Sequence, residues 1–114
     1  MKKRYIFLII ILCFCVSKAG VYHYKHTFST EKWIKSEEKN LMVDDMLEKH
    51  ELMGMEKDQV YELLGFDTPN AYFKEDDNWV YWLGMERGLI SIDSEWLVIT
   101  FEDEKVADYY ITTD

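Results

Sequence analysis

The hydrophobic period of this chain changes once, near Asn70, and that change limits the possible folds more than any other feature. Before Asn70 the apolar residues recur at spacings of three and four, which is typical of helices that bury one face. After Asn70 they alternate with polar residues, as in half-buried strands. The pattern therefore predicts an α+β fold with two layers, in which two N-terminal helices pack on an antiparallel meander of three or four strands.

Two helices are predicted before the change of period. The first begins at Ser29 or Ser36, either of which suits an N-cap, and ends at His50. Its stripe consists of Leu41, Met42, Met46, Leu47 and His50, and Val43 widens it. Gly54 is expected in a turn between the helices, and the second helix covers residues 57–64. Gly65 is expected to end that helix in the left-handed conformation.

The strands are predicted from the alternation that follows. Residues 78–83 form the firmest single strand, with a short strand at Tyr72-Phe73 and an edge strand at 89–92 as further candidates. The clearest hairpin joins residues 95–101 to residues 106–112.

The hairpin is expected to turn through a three-residue loop, residues 103–105. That loop pairs Glu102 with Val106 and Phe101 with Ala107, whereas a two-residue loop would place Asp108 on the apolar face. The longer loop puts these apolar residues on one face: Leu97, Ile99, Phe101, Ala107, Tyr109 and Ile111.

The first nineteen residues have the layout of an export signal. Lys2, Lys3 and Arg4 precede an uncharged run, Tyr5–Val16, and Ser17-Lys18-Ala19 places small side chains before a predicted cut between Ala19 and Gly20. An uncleaved membrane anchor is the alternative, since tilting and thinning accommodate a short apolar stretch. The cationic start stays inside, so the rest is expected in the periplasm, the cell envelope or the medium.

A lipoprotein is a third possibility, because Cys13 and Cys15 lie near the end of the apolar run. Leu12 and Phe14 precede them, however, where lipid attachment usually requires a small residue. The predicted organisation is a signal peptide or N-terminal anchor at 1–19, an arm at 20–35 and one domain at 36–114. Within the arm, Val21–Phe28 alternates and suggests a lone strand or a tether.

The charge of the chain narrows the classes of partner. Its net charge is −9, and residues 20–114 carry 9 cations and 22 acids, a net charge of −13. Nucleic-acid binding is therefore not expected, because it requires clustered Lys and Arg. Both cysteines lie before residue 20, so the exported domain is expected to form no disulfide.

No residue pattern in the chain predicts catalysis, a cofactor or a metal. His23 and His26 have no third metal ligand nearby. Ser91 and Ser94 lack the context of a nucleophile elbow. The acidic clusters match no calcium loop and are expected in solvated turns; they are Asp44-Asp45, Glu75-Asp76-Asp77 and Glu102-Asp103-Glu104. A secreted inhibitor-like domain, or a small hydrolase with acidic catalytic residues, is the alternative function.

One feature suggests a contact surface. If the aliphatic side of the hairpin faces the helices, Trp96, Val98 and Tyr110 face away. Trp82 or Tyr81 joins them, depending on the phase of the preceding strand. Large aromatic residues on an open sheet face are typical of binding surfaces, so the expected partner is another envelope protein. The alternative is that residues 21–28 or the loop around Leu89 cover this face. If the face is open, Trp96→Ser and Tyr110→Ser should leave the fold intact.

Three segments carry a resemblance to a known family. They are Leu52-Met53-Gly54-Met55-Glu56-Lys57-Asp58-Gln59-Val60, Leu63-Leu64-Gly65 and Phe101-Glu102-Asp103-Glu104-Lys105-Val106. In this order they resemble the SmpA/OmlA (BamE-like) small envelope-lipoprotein domain, over roughly residues 40–112. Residues 92–97 also resemble a group of uncharacterised bacterial exported proteins with the same layout. The chain departs from the family at Glu56, where a Ser or Thr cap is common, and in the later position of Pro69. The resemblance implies two helices on an antiparallel sheet, an assembly or partner-binding role, and no enzyme activity.

Overall fold

The computed structural model describes residues 2–114 and confirms the α+β layout, with helices followed by an antiparallel sheet. The elements are α1 (Lys2–His26), α2 (Thr30–Lys35), α3 (Val43–Lys49), α4 (Lys57–Leu64), β1 (Asn78–Met85), β2 (Ser94–Glu102) and β3 (Lys105–Thr113). A 3₁₀ turn, Lys39–Leu41, lies between α2 and α3. The strand order is β1-β2-β3, so the sheet is a three-stranded meander.

The prediction of a strand or tether over residues 21–28 is wrong, because α1 continues to His26. The ring of Tyr22 stacks on that of His26 one turn later, with 3.9 Å between centroids, and the imidazole Nδ1 lies 2.8 Å from the Tyr22 carbonyl oxygen. Side chains four residues apart meet on a helix surface and support it locally. These contacts favour helix in a segment whose alternation suggests a strand.

The predicted first helix is divided into α2, the 3₁₀ turn and α3. Ser29 is the N-cap, and its hydroxyl accepts a hydrogen bond from the Lys32 amide at 3.3 Å. The division occurs at Ser36, which is extended and whose hydroxyl accepts a hydrogen bond from the Glu38 amide at 2.9 Å. Serine side chains compete in this way with helical backbone hydrogen bonds. The predicted stripe still packs inward, since Met42, Val43 and Met46 are buried.

α4 has the predicted limits, Lys57–Leu64. The turn before it contains Gly54 with φ +80°, and Gly65 follows the helix with φ +73°. The ψ of Gly65 is −161°, so this residue has the predicted positive φ but lies outside the left-handed helical region. A side chain at residue 65 would also meet Ile34 of α2, whose Cγ1 lies 3.3 Å from the position of a Cβ.

The β2–β3 turn differs from the prediction. It has two residues, Asp103 and Glu104, with φ values of +52° and +66°. Phe101 therefore pairs with Val106, and an irregularity in the register follows at Ala107. A two-residue turn with positive φ at both positions matches the twist of the strands. The extra residue of the bulge restores the alternation, so Asp108 still stays off the apolar face.

Neither candidate extra strand is present in the part of the chain that the structure describes. Tyr72-Phe73 lies in a turn, where Phe73 has φ +65°, and residues 89–92 lie in the loop between β1 and β2. The main core lies between the helices and one face of the sheet. Its fully buried side chains include Trp33, Met46, Leu52, Val60, Leu64, Tyr81, Leu97 and Ile99.

Candidate interaction surface

The sheet has a second apolar face, opposite the helices. Val80, Trp96 and Val98 form a separate buried cluster there, with Trp82 packed against it. Leu97 and Ile99 lie in the main core and are fully buried. The predicted orientation of β2 is therefore confirmed: the aliphatic side faces the helices and the Trp96 side faces away.

The segment between α4 and β1, residues 66–77, covers much of this second face. Thr68 binds the outer edge of β1: its amide donates to the Val80 carbonyl at 2.8 Å, and its hydroxyl accepts from the Trp82 amide at 2.8 Å. The ring of Tyr72 then packs edge-on against Trp96, with 6.0 Å between centroids. The unpaired edge of β1 gives the segment backbone partners, and these contacts place its aromatic residue over the face.

The two segments that the sequence suggests as covers for this face, residues 21–28 and the loop around Leu89, lie elsewhere. Residues 21–26 belong to α1, and Phe28 is buried in the main core instead. The side chain of Leu89 is fully exposed. Sequence reasoning missed Tyr72, although its proximity in sequence to an edge strand and its aromatic character were the available signals.

The predicted contact residues differ in their exposure. Val98 is 1% exposed and Trp96 is 7% exposed, with the Trp96 indole Nε1 donating to the Asp114 carboxylate at 2.9 Å. Tyr110 is 45% exposed and Trp82 is half-buried. We call the surface formed by Tyr72, Trp82, Trp96 and Tyr110 the aromatic face. Tyr72 and Tyr110 are its accessible rings, whereas Trp96 and Val98 support it from below.

Arg87 fastens the neighbouring β1–β2 loop to the domain. Its guanidinium donates to both carboxylate oxygens of Glu95 at 3.1 Å, and its backbone N–H donates to the same carboxylate at 2.8 Å. It also reaches Asp44 of α3 at 3.0 Å. The side-chain amide of Asn40 also binds here, because it donates to the Met85 carbonyl at 2.7 Å and to the Glu95 carboxylate at 3.4 Å. Planar guanidinium and carboxylate groups match in this bidentate geometry, so the loop is held firmly at its base.

Burial raises the pKa of the Glu95 carboxyl, but the hydrogen bonds and charge of Arg87, together with the Asn40 amide, outweigh burial. The pKa therefore lies below its ordinary value of 4.5. A carboxylate of this kind stabilises the fold fully above the unfolded-state pKa, and the contribution is lost as the pH falls through the lowered value.

Glu95→Gln is therefore expected to reduce the decrease in the free energy of unfolding as the pH falls below the ordinary carboxyl pKa of 4.5 and through the lowered pKa of Glu95. Urea unfolding at a series of pH values measures this effect. Glu62→Gln, which removes an exposed carboxylate of α4, is the control and should leave the profile of the parent chain unchanged. An identical profile for both variants would contradict the assigned role of Glu95.

Several acidic side chains are paired with cations. Besides the Arg87 pairs, Asp45 binds Lys49 at 2.8 Å and Asp67 binds Lys74 at 3.2 Å. Within residues 2–114, no three His, Cys, Asp or Glu side chains come together in a way that would hold a metal ion.

The first helix joins the domain directly. Residues 3–26 form a helix that contains an 18-residue window with a mean hydropathy of 2.2. By length and composition this helix could cross a membrane, a test that a signal sequence also passes. Ala19 and Gly20, the predicted cleavage residues, are exposed on this helix. Phe28 is buried, and its amide donates to Asp45 of α3 at 2.6 Å.

The junction has a second support in Lys32. Its ammonium group donates to the carbonyl oxygens of Tyr24, at 2.6 Å, and Thr27, and it lies 4.2 Å from the centre of the Tyr24 ring. A cation at the C-terminal end of a helix satisfies free carbonyl groups and the helix dipole. The end of α1 is thus fixed to α2 and α3 rather than linked by a free tether.

No protein-family model matches the chain, and a search of the curated proteins gives no significant match. Membership of the SmpA/OmlA (BamE-like) family therefore stays a prediction from the sequence.

Proposed function

We propose that this protein is an exported, membrane-held binding module of the BamE-like type, whose aromatic face contacts another envelope protein. The observation that carries the proposal is the exposure of Tyr72 and Tyr110 beside the buried Trp96. Exposed aromatic rings supported by a rigid apolar layer are typical of interface anchors, because they bury a large area at a low entropic cost.

The length of α1 supports its role as an uncleaved anchor. From Tyr5 to Tyr24 the helix rises ~28 Å at about 1.5 Å per residue, close to the roughly 30 Å of a hydrocarbon core. Tyr5 lies at one end of this span, and Tyr22 and Tyr24 lie at the other. Tyrosines are enriched at both membrane interfaces. The cationic residues before Tyr5 then stay inside, and the domain lies outside.

The exposed apolar side chains near the end of α1 also favour retention. Val21, Tyr22 and Tyr24 are each more than half exposed. Cleavage after Ala19 would leave these side chains on a short helical stub in water. A retained helix places them at the membrane interface, where the headgroup region covers them.

The net charge of residues 20–39, which lie nearest the proposed membrane span, differs from that of residues 40–114. Residues 20–39 carry four cations and three acids, whereas residues 40–114 carry five cations and nineteen acids, a net charge of −14. An acidic domain on a nearly neutral base is expected to attract a partner with a basic surface. Its association should weaken as salt is added, because screening reduces the attraction between exposed charges.

Photo-crosslinking in the native membrane tests this proposal. A photoreactive amino acid at position 110 is expected to give a discrete adduct with another protein. The matched control is position 61, because Tyr61 on α4 is 44% exposed against 45% for Tyr110. The adduct should also diminish at high salt. Equal labelling at the two positions, or none at 110, would rule out the aromatic face as the contact surface.

A further inference from the structure

The loop between β1 and β2 carries the most exposed aliphatic side chains of the domain. Leu89 is fully exposed, Ile90 is 70% exposed and Ile92 is 74% exposed. Residues 88–92 contain no charge, although residues 40–114 are strongly acidic. Exposed loops are usually polar, so three exposed aliphatic side chains within four residues indicate that something apolar covers this tip.

The base of this loop is ordered by hydrogen bonds, so the exposure of the tip follows from a defined conformation. The Glu86 amide donates to the Asp93 carbonyl at 2.7 Å, and the Ile92 amide donates to the Glu86 carboxylate at 3.3 Å. The Arg87–Glu95 pair lies directly beside these contacts. The aliphatic tip is therefore held away from both cores of the domain.

Two sets of contacts connect the loop base to the end of α1. Arg87 binds Asp44, and the next residue, Asp45, accepts the hydrogen bond from the Phe28 amide. An open groove of about 870 Å³ also lies beside the end of α1. Its lining includes Tyr24 and Lys25 of α1 and residues 37, 38, 41 and 42. Asn40, in the same segment, binds the Met85 carbonyl at the start of the loop. The loop base and the last turns of α1 thus share one segment of the domain.

We infer that the tip formed by residues 88–92 inserts into the outer surface of the same bilayer that α1 spans. This inference rests on the proposed retention of α1. Only residues 27–29 separate α1 from α2, so the domain must lie against the membrane surface. The tip is aliphatic and lacks the Trp, Tyr and Arg side chains that dominate protein hot spots, whereas leucine and isoleucine enter lipid favourably.

The full chain in phosphatidylcholine nanodiscs tests the inference. Single cysteines, labelled with an environment-sensitive fluorophore, report quenching by doxyl-labelled lipid. Ser91→Cys, in a background with Cys13→Ser and Cys15→Ser, keeps all three aliphatic residues of the tip. Asp103→Cys in the same background reports the opposite end of the sheet, and native Cys15 with Cys13→Ser reports α1.

The label at position 91 is expected to lose most of its fluorescence to doxyl lipid, as the label at Cys15 does, while the label at 103 stays bright. Adding Leu89→Ser, Ile90→Ser and Ile92→Ser should abolish the quenching at position 91, because these exposed side chains do not support the fold. Quenching at Cys15 alone would overturn the inference and leave the anchor intact. Absence of quenching at Cys15 would overturn both. A label at 91 that is shielded only in native membranes would assign the tip to a protein partner and overturn lipid insertion.

Discussion

Trp96→Ser is expected to lower the free energy of unfolding by about 3–5 kcal/mol, the usual cost of truncating a buried tryptophan. Trp96 is 7% exposed, packs with Val80 and Val98, and supports Tyr72. Its removal opens a cavity in the second core and leaves the Asp114 carboxylate without the indole donor. A small domain has roughly 5–15 kcal/mol of stability in all, so a large share is lost.

Tyr110→Ser is the matched control on the same face of the sheet. Its ring is 45% exposed, and substitutions at such positions usually change stability by less than about 1 kcal/mol. Urea unfolding of the full chain in detergent, followed by near-UV circular dichroism, measures both variants. The burial of Trp96 thus revises the expectation that both serine variants keep the fold intact. Equal losses in the two variants would contradict a second core centred on Trp96.

Arg87→Ala is expected to cost about 3 kcal/mol, because it leaves the buried Glu95 carboxylate without its cation. The Glu95 side chain is 8% exposed, whereas that of Arg87 is 40% exposed. Water reaches the site from the Arg87 side, which places the cost near the low end for a broken buried pair. Hydrogen exchange of residues 86–94 should accelerate strongly at the same time, since the loop loses its fastening.

Asp44→Asn measures the contribution of the exposed partner of Arg87, Asp44, separately from that of the buried partner, Glu95. The Asp44 side chain is 76% exposed, so loss of this pair should cost less than about 1 kcal/mol. Urea unfolding and hydrogen exchange compare the two variants directly. A large effect of Asp44→Asn with a small effect of Arg87→Ala would show that Glu95 does not depend on Arg87.

The sequence predicts the limits of a helix well where a glycine directly follows its apolar stripe. The stripe of α4 ends at Gly65, and the limits of that helix are predicted correctly. The division at Ser36 could not be predicted, because it depends on a side-chain hydrogen bond that competes with the helix. Alternation alone excludes the two-residue turn at Asp103 and Glu104, because that turn would place Asp108 on the apolar face. The bulge at Ala107, which keeps Asp108 off that face, leaves no mark in the alternation.

The orientation of the candidate site was predictable from the sequence, but its cover was not. Alternation along β2 places Trp96 and Val98 opposite Leu97, and the structure agrees. Residues 66–77 have no hydrophobic period, so no pattern shows where they lie. Their position follows from backbone groups at the edge of β1, which bind Thr68 and thereby bring Tyr72 over Trp96.

The intact mass of the protein recovered from washed native membranes tests most directly whether α1 stays with the domain. We expect the 114-residue chain of 13.7 kDa, with residues 1–19 still attached, in the membrane fraction. Ala19→Leu, which places a bulky side chain at the predicted cleavage site, should give the same fraction and the same length. Recovery of a soluble 95-residue chain that begins at Gly20, with the full length retained only in Ala19→Leu, would contradict the membrane-held module.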